Sequence, residues 1–183
     1  PKDGRRIMWL AHESPPKNFT GVDVTDIKNP KIIVQTDLPH QNVRSNSLEV
    51  CGDLLVVAYQ TTALGLKPAG IDIFDISDPE NPKSIGFFDC SGPRSRGVHC
   101  VWFVDGEYIH CSGADGNLDA REPEKDYQIY QIIDVKDPTR PKEVGRWWMP
   151  GQLQSDPEPP LVRHPEFDEG FRPHNTNVYP ERS

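Results

Sequence analysis

One turn recurs three times along the chain, and this recurrence limits the available folds more than any other feature. Each copy has alternating apolar residues, then an aspartate, and closes on Asn-Pro or Asp-Pro. The alternation predicts a half-buried β-strand, and the Asx-Pro pair predicts a turn that ends it. Aligned on Asp26, Asp75 and Asp134, the copies are 49 and 59 residues apart, which is the length of a four-stranded unit with its loops. The aligned segments are residues 21–30, 70–79 and 129–138.

Further strands are predicted around each turn, so that every unit has four. Asp-Gly or Gly-Asp between two alternating runs predicts a hairpin, at Gly52-Asp53 and again at Asp105-Gly106. Repeated units of four antiparallel strands predict an all-β fold, a β-propeller built from four-stranded blades. An open meander or a sandwich is the alternative, but neither requires one turn at near-constant spacing. The expected strands are 46–51, 54–59, 70–75 and 83–89 in one unit, 98–104, 107–112, 129–134 and 142–149 in the next, and 21–26 with 31–36 near the start.

The two later copies resemble the LVIVD-repeat family, whose repeat has an apolar strand, Asp-Val-Ser-Asp-Pro, and then Pro-x-x-Val-Gly. Here the chain reads Asp75-Ile-Ser-Asp-Pro-Glu-Asn-Pro-Lys-Ser-Ile85-Gly86, and Asp134-Val-Lys-Asp-Pro-Thr-Arg-Pro-Lys-Glu-Val144-Gly145. The first copy, aligned on Asp26, lacks three residues before its final Pro-Lys. The resemblance covers most of residues 21–150. It implies a β-propeller and implies no catalytic residues.

The chain is predicted to form a single β-propeller domain over residues 1–183 that is only part of a ring. Its segments are a partial blade at 6–39, whole blades at 45–90 and 98–150, and the first strand of a further blade at 173–180. These segments sum to three blades, whereas closed propellers have at least four. The sequence is therefore interpreted as a fragment of a longer protein. Self-association, with a second copy completing the ring head to tail, is the alternative.

Composition excludes two classes of partner. The formal net charge of -8 repels phosphate backbones, so no nucleic-acid partner is expected. The sequence has no apolar run long enough to span a bilayer. The expected partner is a small molecule or a protein, bound where the long loops of a propeller converge.

Two histidines are the leading candidates for that site. His99 and His174 each follow a long loop and begin an innermost strand at equivalent positions. The equivalent position in the earlier blade is Ser45 or Asn46, and the predicted ligand-binding residues are His99, His174, Arg96, Arg172 and Asn46. Guanidinium groups bind carboxylates, so the two arginines indicate either a carboxylate ligand or, as the alternative, ion pairs between blades. Asn175 is expected to point away, since side chains alternate along a strand.

Imidazoles at a channel mouth also predict a metal site, with His99 and His174 as ligands of zinc, copper or iron. The alternative interpretation is that both rings only hydrogen-bond neighbouring blades. Two functions follow: a binding module, or a metal-dependent oxidoreductase or hydrolase. No catalytic residue is assigned, because the sequence contains no nucleophile elbow, phosphate loop or dinucleotide fingerprint.

Cys100 and Cys111 test the predicted hairpin. A two-residue turn at Asp105-Gly106 makes them direct cross-strand partners. Their position at a hydrogen-bonded pair is unfavourable for a disulfide, so they are expected to face each other as free thiols.

Overall fold

The chain folds into antiparallel β-strands arranged in three sheets, with no helix in the described part of the chain. The computed structural model describes residues 4–122, 127–160, 162, 166 and 171–179. The first sheet has the order β1-β2-β3, the middle sheet β4-β5-β6-β7, and the third sheet β8-β9-β10-β11. The strands are β1 (Ile7–Ala11), β2 (Lys17–Asp23), β3 (Lys31–Asp37), β4 (Val43–Cys51), β5 (Leu54–Thr61), β6 (Gly70–Asp75), β7 (Lys83–Asp89), β8 (Val98–Trp102), β9 (Tyr108–Gly113), β10 (Ile129–Asp134) and β11 (Lys142–Trp147).

The recurring turn has the same hydrogen bonds in all three sheets. An aspartate carboxylate accepts a bond from the backbone amide two residues later, and its carbonyl accepts a second bond from the amide three residues later. These aspartates are Asp26, Asp78 and Asp137. Such Asx turns hold the chain in place where a strand pair reverses. The all-β prediction is confirmed at this level.

The alignment of the first copy on Asp26 is wrong. Its strand β2 ends at Asp23, so the predicted strand at 21–26 lies three residues too late. The backbone amide of Val24 donates to the carbonyl of Arg6, just before β1. The residues that follow Asp75 and Asp134 make the equivalent hydrogen bond, each to a carbonyl just before the neighbouring strand of its own sheet. Asp23 is therefore the equivalent of Asp75 and Asp134, and no residues are missing from the first turn. The sequence Asp-x-x-Asp offers two aspartates to any alignment, and only strand pairing distinguishes them.

One of the two hairpins forms as the sequence predicts, and the other does not. In the middle sheet Cys51 pairs with Leu54 across Gly52-Asp53, and Gly52 has the positive φ of +59° that such a turn requires. In the third sheet the loop is wider, because Asp105 accepts hydrogen bonds from the amides of both Glu107 and Tyr108.

The wider loop moves the register of β8 against β9 by one residue. Cys111 pairs with Val101, and Cys100 pairs with Ser112. The prediction that Cys100 faces Cys111 is therefore wrong, and neighbouring positions on a strand point to opposite faces of the sheet. All four cysteines are free thiols. Burial raises the pKa of the Cys111 thiol.

The middle sheet is the centre of the molecule, since both of its faces are covered. Along β5, Val56 and Ala58 pack into a core shared with the third sheet. Leu55 and Val57 point the other way, into a core shared with the first sheet. This alternation follows from the two-residue period of a strand. In the second core the rings of Phe19 and Phe74 meet edge to face, with centroids 5.0 Å apart.

The sheets have two distinct ends. We call the end with the Asx turns and the β4–β5 and β8–β9 hairpins the turn end, and the opposite end, with the longer connections, the loop end. At the turn end Gly86 lies against the third sheet so closely that a Cβ atom there would be 2.0 Å from the carbonyl oxygen of Pro138. The outer strands β3, β7 and β11 carry most of the exposed positions.

Candidate functional site

Two β-bulges at the loop end position the first two residues of the site. In β4, Ser45 pairs with Tyr59 and Ser47 pairs with Ala58, which leaves Asn46 as the extra residue. In β8, the extra residue between Val98 and Cys100 is His99. Asn46, rather than Ser45, is therefore the equivalent of His99. A bulge redirects the side chain of its extra residue, and here both point to one place.

The two histidines lie in contact. His99 Nε2 is 3.1 Å from His174 Nε2, and the ring centroids are 4.7 Å apart at 71°. Asn46 Nδ2 is 3.0 Å from the carbonyl oxygen of His99 and 2.5 Å from its Nδ1. Because a carbonyl can only accept, the Asn46 amide group must be the donor in both contacts.

These contacts assign a proton to each ring. His99 Nδ1 accepts from Asn46, so neutral His99 carries its proton on Nε2 and donates it to His174 Nε2. His174 then carries its proton on Nδ1, which donates to the side-chain oxygen of Asn175. The result is a directional chain from Asn46 through both imidazoles to Asn175, in which every donor meets an acceptor.

A second amide lies beside His99 and has another role. Gln60 Oε1 is 3.3 Å from His99 Nδ1, but it accepts from the Arg44 guanidinium at 2.5 Å. Two acceptors do not bond each other, so the Asn46 contact is the one that orients neutral His99. The Arg44 guanidinium thus fixes the Gln60 side chain beside the ring.

Residues 171–179 bring His174 to the site without forming a strand. The segment is held by side chains of the third sheet: Ser112 donates to the carbonyl of His174 at 3.2 Å, and Trp102 Nε1 donates to the carbonyl of Val178 at 2.8 Å. The predicted first strand at 173–180 thus has no strand pairing over its described residues. For the same reason the expected alternation fails, and Asn175 joins the site.

A cavity of about 470 Å³ opens beside the histidine pair. Its lining residues are His99, Gln128, Arg172, Pro173 and His174. Gln128 is 1% exposed, and neither its Nε2 nor its Oε1 has a hydrogen-bond partner within the described residues. An unpaired buried amide costs free energy unless something else satisfies it. The cavity therefore presents an unused donor and an unused acceptor beside a guanidinium and two imidazoles.

The predicted site residues separate into two groups. The structure brings together His99, His174, Asn46 and Arg172. Arg96 does not line the cavity, and its Nε donates instead to the carbonyl of Thr61 at 2.9 Å, where it ties β5 to the approach of β8. Gln128 was missed, because a lone glutamine before a strand has no recognisable motif.

The other histidines lie elsewhere. His12 Nε2 bonds Thr20 Oγ1 at 2.8 Å, and His40 bonds the carbonyl of Lys67 and the amide of Asn42. His110 Nδ1 is 2.6 Å from the hydroxyl of Tyr130, and burial lowers the pKa of its imidazole. His164 falls outside the described residues.

No group of three His, Cys, Asp or Glu side chains that could hold a metal ion is found in the parts of the chain that the structure describes. Nor do these parts include a helix suited to crossing a bilayer. Comparison of the sequence with models of protein families and with curated proteins gave no match.

Proposed function

We propose that this chain is part of a β-propeller of the LVIVD-repeat type, serving as a binding module with its ligand site at the loop end. Successive sheets support this arrangement because their first strands, β4 and β8, run side by side in the same direction. Asn46 contacts His99, and further along Cys51 Sγ approaches the carbonyl of Val104 at 3.6 Å. Strands that are neighbours and parallel at the centre are what a propeller requires of consecutive blades.

The ligand is a small carboxylate that also carries a hydroxyl group. The observation that carries this proposal is the side-chain amide of Gln128 in the wall of the cavity, which has no hydrogen-bond partner among the described residues. Its Nε2 and the Arg172 guanidinium would donate to the carboxylate, since charge-assisted bonds of this kind are the strong ones. Its Oε1 would accept from the hydroxyl. The volume of about 470 Å³ suits a small molecule.

Lactate is the probe for this proposal, with propionate as the analogue that lacks the hydroxyl. We expect calorimetry to give a dissociation constant about tenfold lower for lactate than for propionate. A tenfold ratio corresponds to the free energy that one hydrogen bond to a buried polar group contributes. Gln128→Glu keeps the side-chain shape but replaces the donor with a negative charge, and should abolish lactate binding. Gln154→Glu, an exposed position outside the cavity, should leave it unchanged. Equal effects of the two substitutions would refute the site.

A metal-dependent enzyme is the second candidate, and one distance favours it. With metal–nitrogen bonds of about 2.05 Å, the 3.1 Å between the two Nε2 atoms corresponds to an angle at the metal of about 98°. Ligation through His99 Nε2 would require the His99 proton to move to Nδ1 and the Asn46 side chain to turn its oxygen toward it. Titration with Zn²⁺ tests this directly. One tightly bound ion per chain, lost in both His99→Ala and His174→Ala, would favour the enzyme. Retention of Zn²⁺ by either variant would exclude the pair as its site.

A further inference from the structure

A second cavity, of about 440 Å³, lies between the first and middle sheets, and neither His99 nor His174 lines it. Its apolar wall is made by Phe74, Phe87 and two prolines, Pro39 and Pro68. Tyr59 adds a third aromatic ring, 6.2 Å from that of Phe87. Its other lining residues are Asn18, Thr36, Asp37, Asp72 and Ser84.

The polar side of this cavity is a network built around Asp72. Tyr59 donates its hydroxyl to Asp72 Oδ2 at 3.0 Å, and Ser84 donates to Oδ1 at 2.6 Å. Asn18 Nδ2 in turn donates to the Tyr59 oxygen at 2.7 Å. The single hydroxyl proton of Tyr59 is committed to Asp72, so its oxygen accepts from Asn18, and this orients the Asn18 amide.

That orientation leaves the Asn18 side-chain oxygen without a donor. Asn18 is 2% exposed, and its Oδ1 has no hydrogen-bond partner in the described residues. Thr36 Oγ1 is a second buried oxygen in the lining without a described partner. Buried acceptors without a donor are costly, and a ligand bearing N–H groups would satisfy them.

The charged side chains among the described lining residues are all acidic. Neither lysine, arginine nor histidine is among its described lining residues, whereas two carboxylates are. Asp37 pairs with Lys17 at 2.7 Å. Among the described residues the partners of Asp72 are all uncharged: the hydroxyls of Tyr59 and Ser84 and the backbone amide of Ile73. Burial raises the pKa of the Asp72 carboxyl, as expected where no cation compensates for the loss of water.

We propose that this cavity binds a small organic ammonium ion with an apolar body. The ammonium group would donate to Asn18 Oδ1, Thr36 Oγ1 and the Asp72 carboxylate. The body would pack on Phe74 and Phe87, and an ammonium close to aromatic rings gains cation–π attraction as well. This site is separate from the one proposed at the histidine pair, and it does not depend on that proposal.

The test uses 2-phenylethylamine as the ammonium probe, with 2-phenylethanol and 3-phenylpropionate as neutral and anionic analogues. We expect calorimetry to show the amine binding about tenfold more tightly than the alcohol, because its hydrogen bonds are charged. Binding of the carboxylate should be weaker still. Equal binding of all three, preference for the carboxylate, or no amine binding below about 10 mM would overturn the proposal.

Two substitutions locate the binding. Asp72→Asn should weaken amine binding about tenfold while binding of the alcohol stays the same. The control Asp119→Asn, at an exposed carboxylate outside the cavity, should change neither. If Asp72→Asn does not fold, Phe87→Ala at the cavity rim removes an apolar wall and should weaken both the amine and the alcohol. Unchanged amine binding in Phe87→Ala would place the amine elsewhere and overturn the proposal.

Discussion

The turn end and the loop end of the sheets are built on opposite plans. At the turn end, Asp26, Asp78 and Asp137 repeat the same pair of hydrogen bonds in three different sequence contexts. At the loop end, the equivalent bulges hold different residues, Asn46 and His99, and each makes its own contacts. The cavity beside the histidine pair also lies there. The repeated end specifies the fold, whereas the variable end holds the candidate site, and binding residues are commonly found on loops of a rigid scaffold.

The largest effect is expected at the turn end, from Gly86→Ala compared with Gly145→Ala. A Cβ at Gly86 would lie 2.0 Å from a backbone oxygen of the next sheet, but at Gly145 its nearest neighbour is Ile132 at 3.3 Å. We expect Gly86→Ala to lower the free energy of unfolding by about 3 kcal/mol and Gly145→Ala by less than about 1 kcal/mol. Urea unfolding measures both. Equal losses would mean that the contact between the sheets is not rigid.

A smaller effect is expected at the loop end, from Asn46→Ala. The change removes both hydrogen bonds to His99 and should cost about 1 kcal/mol of stability. Its specific consequence is the loss of the His99 tautomer. Long-range ¹H–¹⁵N spectra of the unchanged chain should show His99 protonated on Nε2 and His174 on Nδ1. If Asn46→Ala leaves both rings as they were, Asn46 does not orient the pair.

The smallest effect concerns the turns in acid. The side chain of Asn81 and the backbone amide of Glu80 lower the pKa of Asp78, so the folded chain binds a proton there less readily than the unfolded chain. The stability from this turn is therefore present above about pH 4 and is lost as the pH falls through the folded pKa. The urea midpoint of Asp78→Ala should fall less than that of the unchanged chain between about pH 5 and pH 3. An equal fall in the two chains would contradict this role of Asp78.

Sequence reasoning succeeded where local chemistry dominates. β6 and β10 have the predicted bounds, because alternating apolar residues before an Asx turn leave one way to pair. The hairpin at Gly52 formed as expected, since the glycine supplies a positive φ. His99 and His174 could be selected by position alone, and the structure brings their rings into contact.

The failures have a common cause, which is register. A single extra residue in the β8–β9 loop changes the cross-strand partner of Cys100 from Cys111 to Ser112. In the first copy the turn contains two aspartates, and the alignment on the second of them placed the strand three residues too late. Local sequence preferences barely distinguish such alternatives. Register is decided by which side chains become buried when neighbouring sheets pack, and that information is spread along the chain.

The sequence by itself determined the all-β composition, the strands β6 and β10 and the Asx turns that follow them, because each of these depends on residues close together in the chain. Only the tertiary structure decided what surrounds them. Gln128 and His174 line one cavity from separate segments, and Asn18 reaches the Tyr59–Asp72 pair from another sheet. A buried amide becomes a binding group only when packing removes water and supplies no partner, and this happens between segments that the sequence does not place side by side.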